Sequence, residues 1–552
     1  MLKARPGRKP ALSTFSILLT FATLTVCTNS RVSAQSAEVE IWPDLKPGPY
    51  GVGYTIRHEY DYSRTFQKKF DYFGQRVEDE IARPLQITIW YPVAMSAGAE
   101  NMRLAEYFHA LATETSFTPP TADELEARVE GRKQVLMAEW GIAPPDRPPV
   151  KAALDSIFSI RTPSVRDARP AEGKFPLILH MPGYNSSAID HSPLFEHLAS
   201  HGYVIASVPN MGRYSRGIDD EAASLDVQAR DLEFLFAIMR NFPYVDPERI
   251  GTTGMSWGGM SNILFAQRNS YVDAVVTLDG AITMPVELNL IEAVPGYSHT
   301  SFRAAYLQLM VSPQTAQFRP KDLRFWDALR YSEAYMCQFE GVSHDDFAPG
   351  YMRLRNLVEP DPERIEYLDT FASVMCRYVR WFFDATLKGD QEARALLDAT
   401  HDQIGVSSSM LVRAEAKPAL TQPPTQDEFA AILLERGVET AERIWREVTA
   451  SNPEVTLIES PLFGPLYMDA LNAGELDQAL AICRLWALGM PDAVGPLFSL
   501  ARVHVAMGDK NQAIACYERV LELVGEGRSA DTARRAIEEL RIPPVAQVFD
   551  TP

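Results

Sequence analysis

The chain has 552 residues, a net charge of −19, 46% hydrophobic residues and 23% charged residues. That length exceeds what a single hydrophobic core sustains, so two or more domains are expected. An acidic balance with no long basic run beyond the N-terminus excludes nucleic acid and anionic membrane surfaces as main partners.

Residues 1–34 stand apart. Lys3, Arg5, Arg8 and Lys9 precede an apolar run from Leu12 to Val26, and Val32-Ser33-Ala34 offers a small-residue cleavage site. This is the three-part layout of a secretory signal, and the run is shorter than the ~20 residues that span a bilayer. The expectation is a signal peptide and export to the periplasm or the exterior, with no transmembrane span. Cys27 offers a position for lipidation, with Val26 a poor neighbour for it.

Residues 50–62 and 85–93 read as strands. Residues 101–170 are helical in places and broken by Pro119-Pro120, Pro144-Pro145 and Pro148-Pro149, which suggests a helical insertion or lid. From residue 175 the pattern becomes regular. Phe175–Met181, an apolar run interrupted only by His180, a second run at 203–208, and expected strands at 250–255, 274–278, 304–311 and 335–341 alternate with helical stretches, and a long helix is expected from 362 to 387. Short continuous apolar runs under amphipathic helices predict a doubly wound, mostly parallel α/β sheet, in a domain spanning 35–400.

Residues 401–426 read as a Pro-containing linker. Beyond it, 427–552 is helical with an internal period: Gly474 and Gly508 are 34 apart, as are Ala479 and Ala513. A small residue recurring at that spacing resembles tetratricopeptide repeats, implying a surface for a protein partner or for self-association. Of the cysteines beyond Cys27, Cys337 and Cys376 are a conceivable disulfide pair; buried free thiols are the alternative for all four, with Cys483 and Cys516. No Cys/His cluster has zinc-ligand spacing, and no metal or organic cofactor is expected.

The chemistry concentrates in Arg249-Ile-Gly-Thr-Thr-Gly-Met-Ser-Trp-Gly-Gly259, where Gly254, Ser256 and Gly258 satisfy G-x-S-x-G between a strand and a helix. A serine on that tight turn exposes its hydroxyl, and only small neighbours let the helix pack closely enough. Ser256 is the candidate nucleophile. A base and an orienting acid should follow it in the order acid, histidine. Asp279 ends the strand after the nucleophile helix, and His344 lies just past a later strand, both at the edge where such sheets assemble their sites. The bland readings are a turn-capping aspartate and a surface-loop histidine. The oxyanion needs two backbone donors, for which the N–H groups of Trp257 and Tyr184 are the candidates. Tyr184 lies in the Pro182-Gly183 loop, and its ring and that of Trp257 line an apolar acyl pocket or belong to the core.

Residues 48–395 resemble the α/β-hydrolases that include platelet-activating-factor acetylhydrolases and dienelactone-hydrolase-like enzymes. The resemblance rests on Gly48-Pro-Tyr-Gly-Val-Gly53, Arg83-Pro-Leu-Gln-Ile-Thr-Ile-Trp-Tyr-Pro92, Val165-Arg-Asp-Ala-Arg-Pro-Ala-Glu-Gly173, the Pro182-Gly183 loop, Gly254-Met-Ser-Trp-Gly-Gly259, Leu278-Asp-Gly280 and Val342-Ser-His344. It implies the α/β-hydrolase fold and esterase activity on a small-molecule ester. The family's nucleophile, acid and base fall on Ser256, Asp279 and His344, and its oxyanion donors on Tyr184 and Trp257. Pro182-Gly183 stands where the family often has His-Gly, and the 101–170 segment and helical C-terminus are additions, so the implied substrate is an ester in general more than a phospholipid acetyl group. The other functions considered are a non-catalytic scaffold acting through the repeats, and the same triad acting on a lactone, thioester or amide.

Overall fold

Buried parallel strands need helices over both faces, and the chain supplies them in alternation. The computed structural model describes residues 45–542 apart from 68–69, 71–72, 77–80, 95–99, 116, 185, 219–221, 316–319, 360 and 454. The expected signal segment at 1–34, with Cys27, lies outside the described residues. The chain divides into two compact units, Met1–Leu420 and Thr421–Pro552. Among the described residues no helix is long and apolar enough to cross a membrane.

The first unit is built on ten strands: β1 (Gly51–Gln67), β2 (Ile81–Val93), β3 (Ser164–Arg166), β4 (Phe175–Met181), β5 (Val204–Ser207), β6 (Val245–Met255), β7 (Val272–Leu278), β8 (Ala305–Val311), β9 (Ala334–Phe339) and β10 (Leu411–Lys417). Their order is β10-β9-β8-β7-β6-β4-β5-β2-β1-β3. The block from β5 through β4, β6, β7 and β8 to β9 is parallel, while β2 meets both β5 and β1 in antiparallel register. The carboxyl ends of β6, β7 and β9, which precede Ser256, Asp279 and His344, share one rim. This is the α/β-hydrolase fold.

Two elements depart from the sequence reading. Residues 401–426 are not a continuous linker: Leu411–Lys417 pairs antiparallel with β9 and closes the sheet's edge. Its alternation is legible afterwards, with Arg413 exposed and Ala414–Lys417 between exposed and half-buried, as suits an edge strand that charge protects from further pairing. Ile404, Val406, Met410 and Leu411 are buried in the core, so the unit runs to Leu420 and not to residue 400. The 101–170 segment holds the expected helices, Ala122–Glu139 and Arg147–Phe158 among them, but ends in β3, which pairs parallel with β1. Its Leu136, Leu154, Ile157 and Phe158 share a core with Trp90 and Ile178 of the sheet.

The second unit is a run of helices. Gln426–Arg436, Ser460–Asn472, Val494–Ala506 and Arg528–Arg541 begin 34 residues apart; of the intervening helices, Leu476–Gly489 and Lys510–Val524 keep the same interval, while Val438–Ser451 begins 38 residues before the first of these. Ala479 and Ala513 are fully buried. Cys337, Cys376, Cys483 and Cys516 are all free thiols, the first three buried.

Candidate active site

β6 ends at Met255 and the helix Trp257–Arg268 begins two residues later, so the chain reverses at Ser256. The serine takes φ 52° and ψ −123°, a conformation that costs a non-glycine residue about 1–3 kcal/mol. Neighbouring main chain holds it there. Ser256 N–H donates to Leu278 O at 3.1 Å, and its carbonyl accepts from Gly259 N–H at 3.0 Å and Ala281 N–H at 2.9 Å. The elbow is thereby tied to the turn that carries Asp279. Its glycines are sterically required: a Cβ on Gly258 would lie 2.0 Å from Met181 O, and one on Gly254 would lie 2.5 Å from the Gly258 carbonyl carbon.

The Pro182-Gly183 loop backs onto the serine, since a Cβ on Gly183 would approach Ser256 Cβ at 3.4 Å and Met255 O at 3.3 Å. Asn210 Nδ2 donates to Pro182 O at 2.7 Å and fixes that loop. Gln228 Nε2 donates to Asn210 Oδ1 at 2.7 Å, while Gln228 Oε1 accepts from the Trp257 indole N–H at 2.8 Å and from Ser261 Oγ at 2.6 Å. Asn210, Gln228 and Ser261 are fully buried, so this chain of amides joins the loop to the nucleophile helix without help from water. The Trp257 ring is core, 4% exposed, and Tyr184 sits edge-on to it at 6.2 Å with its hydroxyl donating to Ile218 O at 2.9 Å. As the first residue of its helix, Trp257 offers a main-chain N–H that no intrahelical carbonyl can accept. Asn185 lies outside the described residues.

Asp279 follows β7 with φ 41°, and its N–H donates to Leu309 O at 2.7 Å. Its carboxylate is shared among several donors. Oδ2 accepts from His344 Nδ1 at 2.7 Å; Oδ1 accepts from Val311 N–H at 3.1 Å and from Lys321 Nζ at 2.6 Å. Burial pushes this carboxyl up, but the His344 hydrogen bond and the Lys321 charge outweigh it and hold the group at about 2. It is therefore ionised at neutral pH.

His344 opens the short turn His344–Phe347, capped by Ser343 N–H donating to Asp346 Oδ2 at 2.6 Å. Its side chain is 20% exposed, and with Nδ1 engaged by Asp279 the nitrogen left for another partner is Nε2. Ser256 Oγ makes no hydrogen bond to the imidazole among the described residues; the two are linked through Asp279 and its turn. The inserted segment reaches the helix that follows this turn, Pro349–Arg355, where Trp140 Nε1 donates to Tyr351 OH at 3.2 Å. Burial pushes Glu139 up, and among the charges acting on it are those of Asp190 and Asp345, the residue after His344.

Sequence reasoning missed Asn210, Gln228 and Lys321. None lies in a motif, and a lone Lys in a Pro-flanked loop reads as solvated. Only the fold reveals that the Lys321 side chain is 2% exposed.

Comparison with curated proteins gives no match. The solved structure of a ferulic acid esterase from Streptomyces cinnamoneus is similar at 20% identity, over 66% of this chain and 94% of that one, with a TM-score of 0.39. Residues 177–300 match the model described as the Dienelactone hydrolase family. That stretch starts within β4, contains the Ser256 elbow and Asp279, and stops before β8. The first unit thus has the α/β-hydrolase fold, and its stretch from β4 past Asp279 is similar to the dienelactone hydrolase family.

Proposed function

We propose that the first unit is a serine hydrolase that cleaves carboxylic esters through an acyl-enzyme, with Ser256 as nucleophile, His344 as base and Asp279 as its orienting acid. The observation that carries the reading is the strained Ser256 turn, bonded through main chain to the turn whose Asp279 carboxylate grips His344 Nδ1. The aspartate selects the tautomer in which Nε2 is the acceptor. His344 Nε2 then takes the hydroxyl proton as Ser256 Oγ attacks the acyl carbon, and returns it to the departing alkoxide. Water, deprotonated by the same imidazole, releases the acid and restores the serine. Serine–imidazole hydrogen bonds are commonly long in an unliganded site and tighten once substrate is bound. The N–H groups of Trp257 and Tyr184 receive the oxyanion, each worth about 3–4 kcal/mol in the transition state.

The match of residues 177–300 to a family of lactone hydrolases brings cyclic esters into the substrate class beside open ones, platelet-activating-factor-like acetyl esters included. Export through the 1–34 segment is part of the proposal. So is a tetratricopeptide-like second unit that binds a protein partner or a second copy of the chain, supported by its 34-residue spacing of helix starts.

The test is hydrolysis of a short-chain nitrophenyl ester by the full chain and by Ser256→Ala. The variant is expected to lose at least about a thousandfold in kcat/KM with its melting temperature kept. Equal turnover by both proteins would refute the reading.

A further inference from the structure

Asp279 divides its two oxygens between the imidazole of His344 and the ammonium of Lys321, and the hydrolytic scheme uses only the imidazole. Lys321 Nζ lies 2.6 Å from Asp279 Oδ1 and 3.3 Å from Thr283 Oγ1. The two side chains of this ion pair are each 2% exposed. An ammonium group taken so far out of water is costly unless paired, so its place here is built by the fold and is not that of a surface lysine. The loop that delivers it is tied at both ends. The hydroxyls of Ser312 and Thr315 donate to the Glu340 carboxylate just past β9, and Asp322 N–H donates to Thr283 O at 2.8 Å. The charges that act on Asp279 are those of Lys321 and His344. Glu139, from the inserted helix, is acted on by the charges of Arg132, of Asp190 in the loop after β4 and of Asp345 in the His344 turn.

Resting on the esterase reading, we propose that Lys321 is a positioning residue of the triad: its ammonium fixes the Asp279 carboxylate with Oδ2 toward His344, takes up part of its charge, and so sets the pH above which the imidazole can accept the serine proton. A carboxylate facing the ring alone would favour the protonated imidazole more strongly. Lys321 thus extends activity toward lower pH, and it does so without touching substrate.

The rate at which a fluorophosphonate labels Ser256 in the full chain, followed against pH, reads the neutral imidazole and requires no knowledge of the natural ester. Lys321→Gln keeps a hydrogen-bond donor and loses the charge. Its acid limb is expected about one pH unit higher than that of the wild type, with about tenfold slower labelling below the limb. Lys321→Arg, which restores the charge, is expected to return the limb toward its original position. Thr283→Val removes the ammonium's other acceptor and should move the limb upward by less, which keeps the test open if Lys321→Gln does not fold. Variants that label on the wild-type limb overturn the role of Lys321 while leaving the triad in place. A wild-type chain that takes no label overturns the hydrolytic reading, and this inference with it.

Discussion

The rim of the sheet and the C-terminal helices use the backbone in opposite ways. Among the described residues, three non-glycine residues have positive φ: Asp167, Ser256 and Asp279. All three lie in the first unit, and two of them occupy the turns after β6 and β7. In the second unit positive φ is confined to glycines, Gly437, Gly474, Gly508, Gly525 and Gly527. Charge divides in the same way. At the rim the Asp279–Lys321 pair is 2% exposed on each side, and Arg83–Asp231 elsewhere in that unit is as deeply buried. The helical unit keeps its pairs in water, as with Arg446–Glu442, 58% and 38% exposed. Strain and buried charge persist only where surrounding contacts over-determine them, and such places cluster at functional sites. A repeat that stacks on its own neighbours can meet its needs locally and has little reason to carry either.

The sharpest way to break this contrast is to add one methyl group at the elbow. In Gly258→Ala the new Cβ would meet Met181 O at 2.0 Å, a main-chain atom on the strand that leads into the Pro182-Gly183 loop, so strand and helix must part. A loss of about 3 kcal/mol in urea unfolding is expected, with most ester hydrolysis lost as well. A variant that matches the wild type in both would show that the close approach is dispensable.

Acid is the next lever. Asp279 has its carboxyl lowered from 3.8 to about 2 in the folded chain, so on acidification the unfolded chain takes up this proton first. Its contribution, about 2 kcal/mol, is complete above about pH 4 and is lost as pH falls from there toward 2. Urea midpoints collected across that window should fall more steeply for the wild type than for Asp279→Asn. Parallel slopes would mean that the carboxylate is not held by its donors as the geometry indicates.

What the sequence made legible follows from what leaves a periodic trace. Phe175–Met181, apolar but for His180, and Val272–Leu278, apolar but for Asp273 and Thr277, stand out because both faces of a parallel strand are covered, and such runs are visible in one dimension. The elbow was legible because steric demand writes glycines at fixed offsets from the serine. β3 was not, because three residues show no alternation. β10 was not, because Arg413, Glu415 and Lys417 make an edge strand look like a solvated connector, with three prolines after it. The second tier of the site was hidden for a different reason. Asn210, Gln228 and Lys321 come from a loop, a helix and another loop, and their roles arise from partners 18 to 42 residues away. A buried amide or ammonium is defined by its long-range partner, which no local pattern encodes.

The smallest effect is expected where the comparison began, at a glycine of the helical unit. Gly474 has φ +78° at the turn between Ser460–Asn472 and Leu476–Gly489, and a Cβ added there would have nothing within 4 Å. Gly474→Ala therefore isolates the backbone cost of the left-handed region, about 1 kcal/mol, with no clash added. Gly508, at φ +82° and equally open, occupies the corresponding turn 34 residues later and should give the same value. Calorimetry of the full chain would read both, and ester hydrolysis should not change. If either alanine costs as much as the one at Gly258, the turn is packed against something that the open space around it does not reveal, and the repeat is then under long-range constraint much as the rim around Ser256 is.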